Sequence, residues 1–215
     1  MSVLRPSASS APRTGFALLV IPFALVILAA CGGTGEDSNS LRATSQPDFE
    51  TCAGFLDLAQ VKDAAGRGDV ILADPNPNSG AGDDPFTAMC IIGFVTPDIL
   101  GDSGDSLLVG PSMNLVVMEF ATSDDAASFH EPIASEIRSM RDAVLPEAEL
   151  VEGEMGPGSY AVTLDYEGIG SVLGFRQDTY IVSFNTTAPD GAEPFMTTGA
   201  IETLALQVRA NLIAR

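Results

Sequence analysis

Hydrophobic positions along this chain follow three patterns, and each predicts a different kind of element. Residues 16–30 are apolar without a single charge. Further on, apolar residues recur at helical spacing, and between those stretches they alternate with polar ones or run unbroken over a strand's length. A first helix is expected from Asp57, with Gln60 three residues on as in a capping box, Leu58, Val61 and Ala65 on one side, and Gly66 as the stop. A second begins after Ser123, with Asp124 and Asp125 favouring its N-terminal dipole. Its apolar positions are Ala126, Phe129, Ile133, Ile137, Met140 and Val144, a stripe at helical spacing. Pro132 lies inside this pattern and is expected to kink or break the helix. The third covers roughly residues 194–213, with Ile201, Leu204, Val208 and Leu212 on one face.

Strands are expected at 70–73, 87–95, 114–121 and 149–152, followed by three alternating runs. Tyr160, Val162, Leu164 and Tyr166 share one face of the first run, 171–176 form the second, and Tyr180, Val182 and Phe184 mark the third. Short turns at Glu167-Gly168 and Gln177-Asp178 make these an antiparallel meander. The 114–121 strand is apolar on both faces and is therefore expected at the centre of a sheet. The order is helix, three strands, helix, several strands, helix. That is an α+β domain of antiparallel sheet packed with about three helices, consistent with two similar halves.

The N-terminal apolar run changes the reading of the whole chain. It follows Arg5 and Arg13, contains Pro22, and as a helix of 15 residues would reach only about 22 Å. A hydrocarbon core of about 30 Å needs more, so the layout is that of an export signal, an uncleaved membrane anchor being the competing reading. The run ends in Leu28-Ala29-Ala30-Cys31, which resembles a bacterial lipobox. What that resemblance implies is diacylglycerol on the Cys31 thiol, cleavage before Cys31, and a protein held to the cell membrane on its extracytoplasmic face. Each buried methylene contributes about 0.8 kcal/mol, so two or three acyl chains suffice for stable anchoring. The domain plan is then a cleaved signal at 1–30, a lipidated cysteine with a small, polar, flexible tether at 31–48, and one folded domain at 49–215.

Charge and composition remove several function classes. The 215 residues carry 29 acidic and 10 basic side chains, a formal charge of −19, with Lys62 the only lysine. No basic cluster exists, and nucleic acid is excluded as a partner because phosphate binding needs Lys/Arg density. One histidine and three cysteines rule out most catalytic or zinc clusters, and no cofactor is expected. With Cys31 acylated, Cys52 and Cys90 remain as an even pair in an exported chain, which predicts a disulfide; two buried free thiols are the alternative.

Cys52-x-x-Phe55-Leu56-Asp57, the helix ending in Gly66, and Cys90 within a strand resemble the start of small actinobacterial-type lipoproteins related to the extracellular sensor domain of the kinase PknH. Further matches are Phe120-Ala-Thr-Ser-Asp-Asp-Ala-Ala-Ser-Phe129, Gly156-Pro-Gly158 before a strand, and Leu204-Ala205-x-x-Val208 in the closing helix. The similarity spans most of residues 50–213, with one cysteine pair here where the kinase domain has two. It implies an extracytoplasmic α+β module with a cleft that binds a small ligand or an envelope protein, and it brings no catalytic residue.

Two motifs look like chemistry. Gly101-Asp-Ser-Gly matches the surroundings of a chymotrypsin-type nucleophile and Gly104-Asp-Ser-Leu the name-giving motif of GDSL hydrolases. A serine nucleophile needs a base, and the one histidine, His130, follows Ser103 and Ser106 instead of preceding them and lacks the Asp-x-x-His pattern, since residue 127 is Ala. A Gly/Asp/Ser loop explains residues 101–107 as well, and His130 is expected on a helix surface. Asp74-Pro-Asn76-Pro-Asn78 spaces oxygens as a calcium loop does, but Ser79 and Pro85 stand where an EF-hand needs Gly and Glu. A solvated turn is the plainer reading there. The sequence therefore predicts a non-catalytic lipoprotein of the binding or sensor kind, with serine hydrolysis through 101–107 or a purely structural envelope role as alternatives.

Overall fold

Among the described residues, alternating side chains along eight strands build a single antiparallel sheet, and helices cover both of its faces. The computed structural model describes residues 46–73, 75–80, 84–96, 111–166, 169–187 and 195–214. The signal at 1–30, Cys31, the tether as far as 45, Asp74 and the 101–107 motif lie outside the described residues. The strands are β1 (Ile71–Leu72), β2 (Asn76–Asn78), β3 (Ala88–Val95), β4 (Ser112–Glu119), β5 (Leu150–Glu152), β6 (Tyr160–Tyr166), β7 (Ile169–Gln177) and β8 (Tyr180–Thr187). Their order is β1-β3-β4-β8-β7-β6-β5, with β2 also paired to β3. The chain fills one side of the sheet with β1–β4 and the other with β5–β8, and the halves meet where Val117 lies opposite Val182.

Period two decides which side chains meet which helix. Cys90, Ile92 and Phe94 of β3, Met113, Leu115 and Val117 of β4, Leu173 and Phe175 of β7, and Val182 and Phe184 of β8 point to one face. There they meet α1 (Leu58–Ala65) and α3 (Thr198–Ile213) through Val61, Ile201, Leu204, Ala205, Val208 and Leu212. The intervening residues, Val116, Met118, Ile181, Tyr160, Val162 and Val172, meet α2 (Ser123–Val144) on the other face. The β4 strand is apolar on both sides because both sides are covered, as its sequence requires.

Local signals set the helix ends. Asp57 accepts from Ala59 N at 2.7 Å and Gln60 reaches back to Asp57 N, while Gly66 closes α1 at φ 64°. The N-cap of α2 is Thr122, one residue before Ser123, because its hydroxyl accepts from Asp125 N at 3.1 Å. α3 starts at Thr198, later than the apolar pattern suggests, because Thr197 caps it through Ala200 N.

Three expectations need correction. Pro132 does not break α2, which runs 22 residues through it. Pro132 and Ser128, whose carbonyl loses its helical donor, are both exposed, so water can satisfy that carbonyl. Asn76–Asn78 is no solvated turn: it pairs with β3, Pro77 opposite Cys90, as a short exposed edge where proline is tolerated. His130 is not on the surface but 2% exposed, since it stands four residues from both Ala126 and Ala134 in the buried stripe of α2.

The disulfide is present. Cys52 and Cys90 are bonded, both fully buried, with their Cα atoms 5.5 Å apart. Cys52 adopts φ 56°, and the turn before it is closed by Asp48, which bonds Glu50 N and the Thr51 hydroxyl and bridges to Ala53. Asp48 is therefore already part of the folded domain.

Candidate functional site

A pocket of about 250 Å³ opens between α3 and the β5–β7 side of the sheet. Gly199, Glu202, Thr203 and Leu206 line it from successive turns of α3; Val151 comes from β5, Ala161 from β6 and Leu173 from β7. The loop from β5 to β6 supplies Glu154, Met155 and Ser159.

That loop is fixed from within. Gly153 N bonds Ser159 O, Gly156 N bonds Gly153 O, and Ser159 N bonds Gly156 O, each at 3.1 Å. The Ser159 hydroxyl accepts from Met155 N at 3.0 Å, which helps bury the Met155 side chain. Gly153, Gly156 and Gly158 all have positive φ, a conformation that costs any other residue. The Gly156-Pro-Gly158 motif is thus a backbone requirement.

From the opposite face of the sheet, α2 holds the same loop. His130 Nε2 donates to Gly158 O at 3.0 Å, and its ring stacks on Tyr160 at 5.9 Å and 12°. Tyr160 in turn lies on Gly174, where a Cβ would collide with its ring. Burial, the largest effect, pushes the His130 pKa below its ordinary value, assisted by Arg176 and Arg138 and opposed by the Gly158 bond and Glu131. Burial also pushes the Tyr160 pKa up to about 12. His130 is a docking residue here.

The electrostatics of the pocket are one-sided. Burial raises the Glu202 pKa, and the charges of Glu154 and Glu149 raise it further. Leu206 remains 55% exposed at the rim. The lining therefore combines apolar side chains with two carboxylates.

Among the described residues no group of His, Cys, Asp and Glu could hold a metal ion, and no helix is long and apolar enough to cross a membrane. Asn185, of the Asn185-Thr-Thr sequon, lies within β8 opposite Asn114 with its amide on the Ser183 hydroxyl. Cys52 and Cys90 lie in the core and are not among the residues lining the pocket.

The fold has a known counterpart. It is similar to the extracellular domain of PknH from Mycobacterium tuberculosis, with a TM-score of 0.55 at 13% sequence identity. The alignment covers 80% of this chain and 99% of that domain, so the likeness extends over the whole module. No family model and no curated protein matches the sequence. The likeness is one of fold, in line with the sequence resemblance.

The sequence marks none of the pocket residues as a ligand site. The glycine motif at 156–158 was visible, and so was the α3 stripe. The Glu154–Glu202 juxtaposition was not, because the two residues are far apart in the chain and come together only through sheet order.

Proposed function

We propose that this chain is a lipid-anchored extracytoplasmic binding module of the sensor kind, without catalytic activity, and that the pocket beside α3 is its binding site. The observation that carries the reading is the likeness to an extracellular domain over 99% of that domain's length. The buried Cys52–Cys90 bond supports it, since disulfides persist in oxidising compartments. The Leu28-Ala29-Ala30-Cys31 sequence supports lipidation at Cys31 and attachment to the cell membrane. The burial of His130, with Nε2 committed to Gly158 O, supports a non-catalytic reading, because a serine nucleophile would need that ring as its base.

The anchor is tested by feeding an alkyne-bearing fatty acid to bacteria that express the full chain. The expected result is label on the wild type in the membrane fraction and none on Cys31→Ser. Wild type without label, or label that survives the substitution, overturns the anchoring. For the binding role, native mass spectrometry of the mature protein isolated from its host should show a reproducible non-covalent adduct. A bare mass, with the fold intact, counts against a tightly held ligand.

A further inference from the structure

The pocket is lined by both apolar and acidic side chains. Val151, Met155, Leu173 and Leu206 are among the apolar ones, Ser159 and Thr203 are neutral and polar, and Glu154 and Glu202 are the carboxylates. Among the described residues neither glutamate forms an ion pair with a Lys or Arg, and the charges that act on Glu202 are those of Glu154 itself and of Glu149. Among the described residues no Lys or Arg lines the pocket.

The rim adds a direction. Leu206 lines the pocket and is 55% exposed; Ala210 and Ile213 follow on the same outward face of α3, Ile213 at 64%. Spacings of four and three put the three in one row, an apolar strip of about 10 Å at 1.5 Å per residue. Exposed apolar side chains in isolation are unremarkable, but these continue the wall of a cavity. At about 250 Å³ the cavity is smaller than the ~300–1,000 Å³ that encloses a drug-sized ligand, so a longer molecule has to leave it along the strip.

We propose that the pocket takes an amphiphile with one cationic head, an alkylammonium, with the ammonium at Glu154 and Glu202 and the chain against Met155, Leu173 and Leu206 and out along Ala210 and Ile213. This rests on the reading of the pocket as the binding site. An anionic amphiphile is repelled by both carboxylates, and a neutral one leaves their mutual repulsion uncompensated.

The test is calorimetric titration of the full mature protein with decyltrimethylammonium below its micelle concentration, beside the neutral decyl maltoside. A chain with a formal charge of −19 attracts any cation, so Glu136→Gln, on the exposed side of α2, serves as the remote-charge control. Glu154→Gln and Glu202→Gln are each expected to weaken the ammonium at least about tenfold, a loss of about 1.4 kcal/mol. Glu136→Gln should change it by less than twofold, and the maltoside should bind far more weakly. Leu206→Ser, at an exposed position that does not threaten folding, should weaken the ammonium as well. If both amphiphiles bind equally and Leu206→Ser weakens both, the pocket stands and the cationic head is wrong. If neither binds, or none of the pocket variants alters binding, the pocket and its ligand class both fall.

Discussion

His130 answers to two constraints at once: its Nε2 must donate to Gly158 O, and its ring must stack on Tyr160. Burial lowers its pKa in the fold below the ordinary 6.5, so on acidification the unfolded chain takes up this proton first. The contribution to stability is complete above the ordinary value, declines as pH drops below it, and levels off once the folded ring itself titrates. Glu131 opposes the shift, while Arg138 and Arg176 reinforce it. His130→Gln keeps a donor and has no proton to gain. Denaturation at pH 7.5 and 5.5 should show the wild type losing more stability between the two than the variant does; equal losses would show that the ring does not carry this dependence. A histidine at four-residue spacing between two alanines of a buried stripe is legible as an interior residue once polarity is set aside. Its partner Gly158 was not legible, because that contact crosses from a helix to a loop that the β-strands place.

Among the elements, α1 could be read almost to the residue because its Asp57, Gln60 and Gly66 signals are local and strong. β2 could not, since two asparagines flanking a proline have turn chemistry and become a strand only by pairing with β3. Pro132 shows how much a propensity weighs. A proline within a helix costs about 3 kcal/mol relative to alanine, yet α2 continues because Ala126, Ala134 and Ile137 are buried on the side away from it. Pro132→Ala should restore the bond to Ser128 O and raise stability by about 1–3 kcal/mol, read as a shift in the urea midpoint. No gain would mean that the helix axis has adapted its packing to the proline.

At the scale of the molecule, β4 was legible as central from its two apolar faces, and the antiparallel class from alternation and short turns. The order of strands was not, since pairing β4 with β8 joins distant stretches of chain and leaves no local mark in either. The covalent link works at this scale too. Closing the loop between Cys52 and Cys90, a sequence separation of 38, stabilises the fold by about 4 kcal/mol in the chain-entropy model. The Cys52→Ala/Cys90→Ala double variant should fall by that order in chemical denaturation, and reductant should bring the wild type to the same midpoint; an unchanged midpoint would mean that packing alone holds this region.

The position of that bond also sets how the molecule answers a mechanical load. The chain enters the fold at Asp48, and a pull applied from its N-terminal side meets Cys52 four residues later. From there tension crosses the sulfur–sulfur link straight into β3, and α1, β1 and β2 lie in a slack covalent loop outside the load path. Stretching the oxidised protein between its N-terminal side and α3 should therefore release a contour length short by that loop. The reduced protein should yield it early, as α1 peels away before the sheet shears.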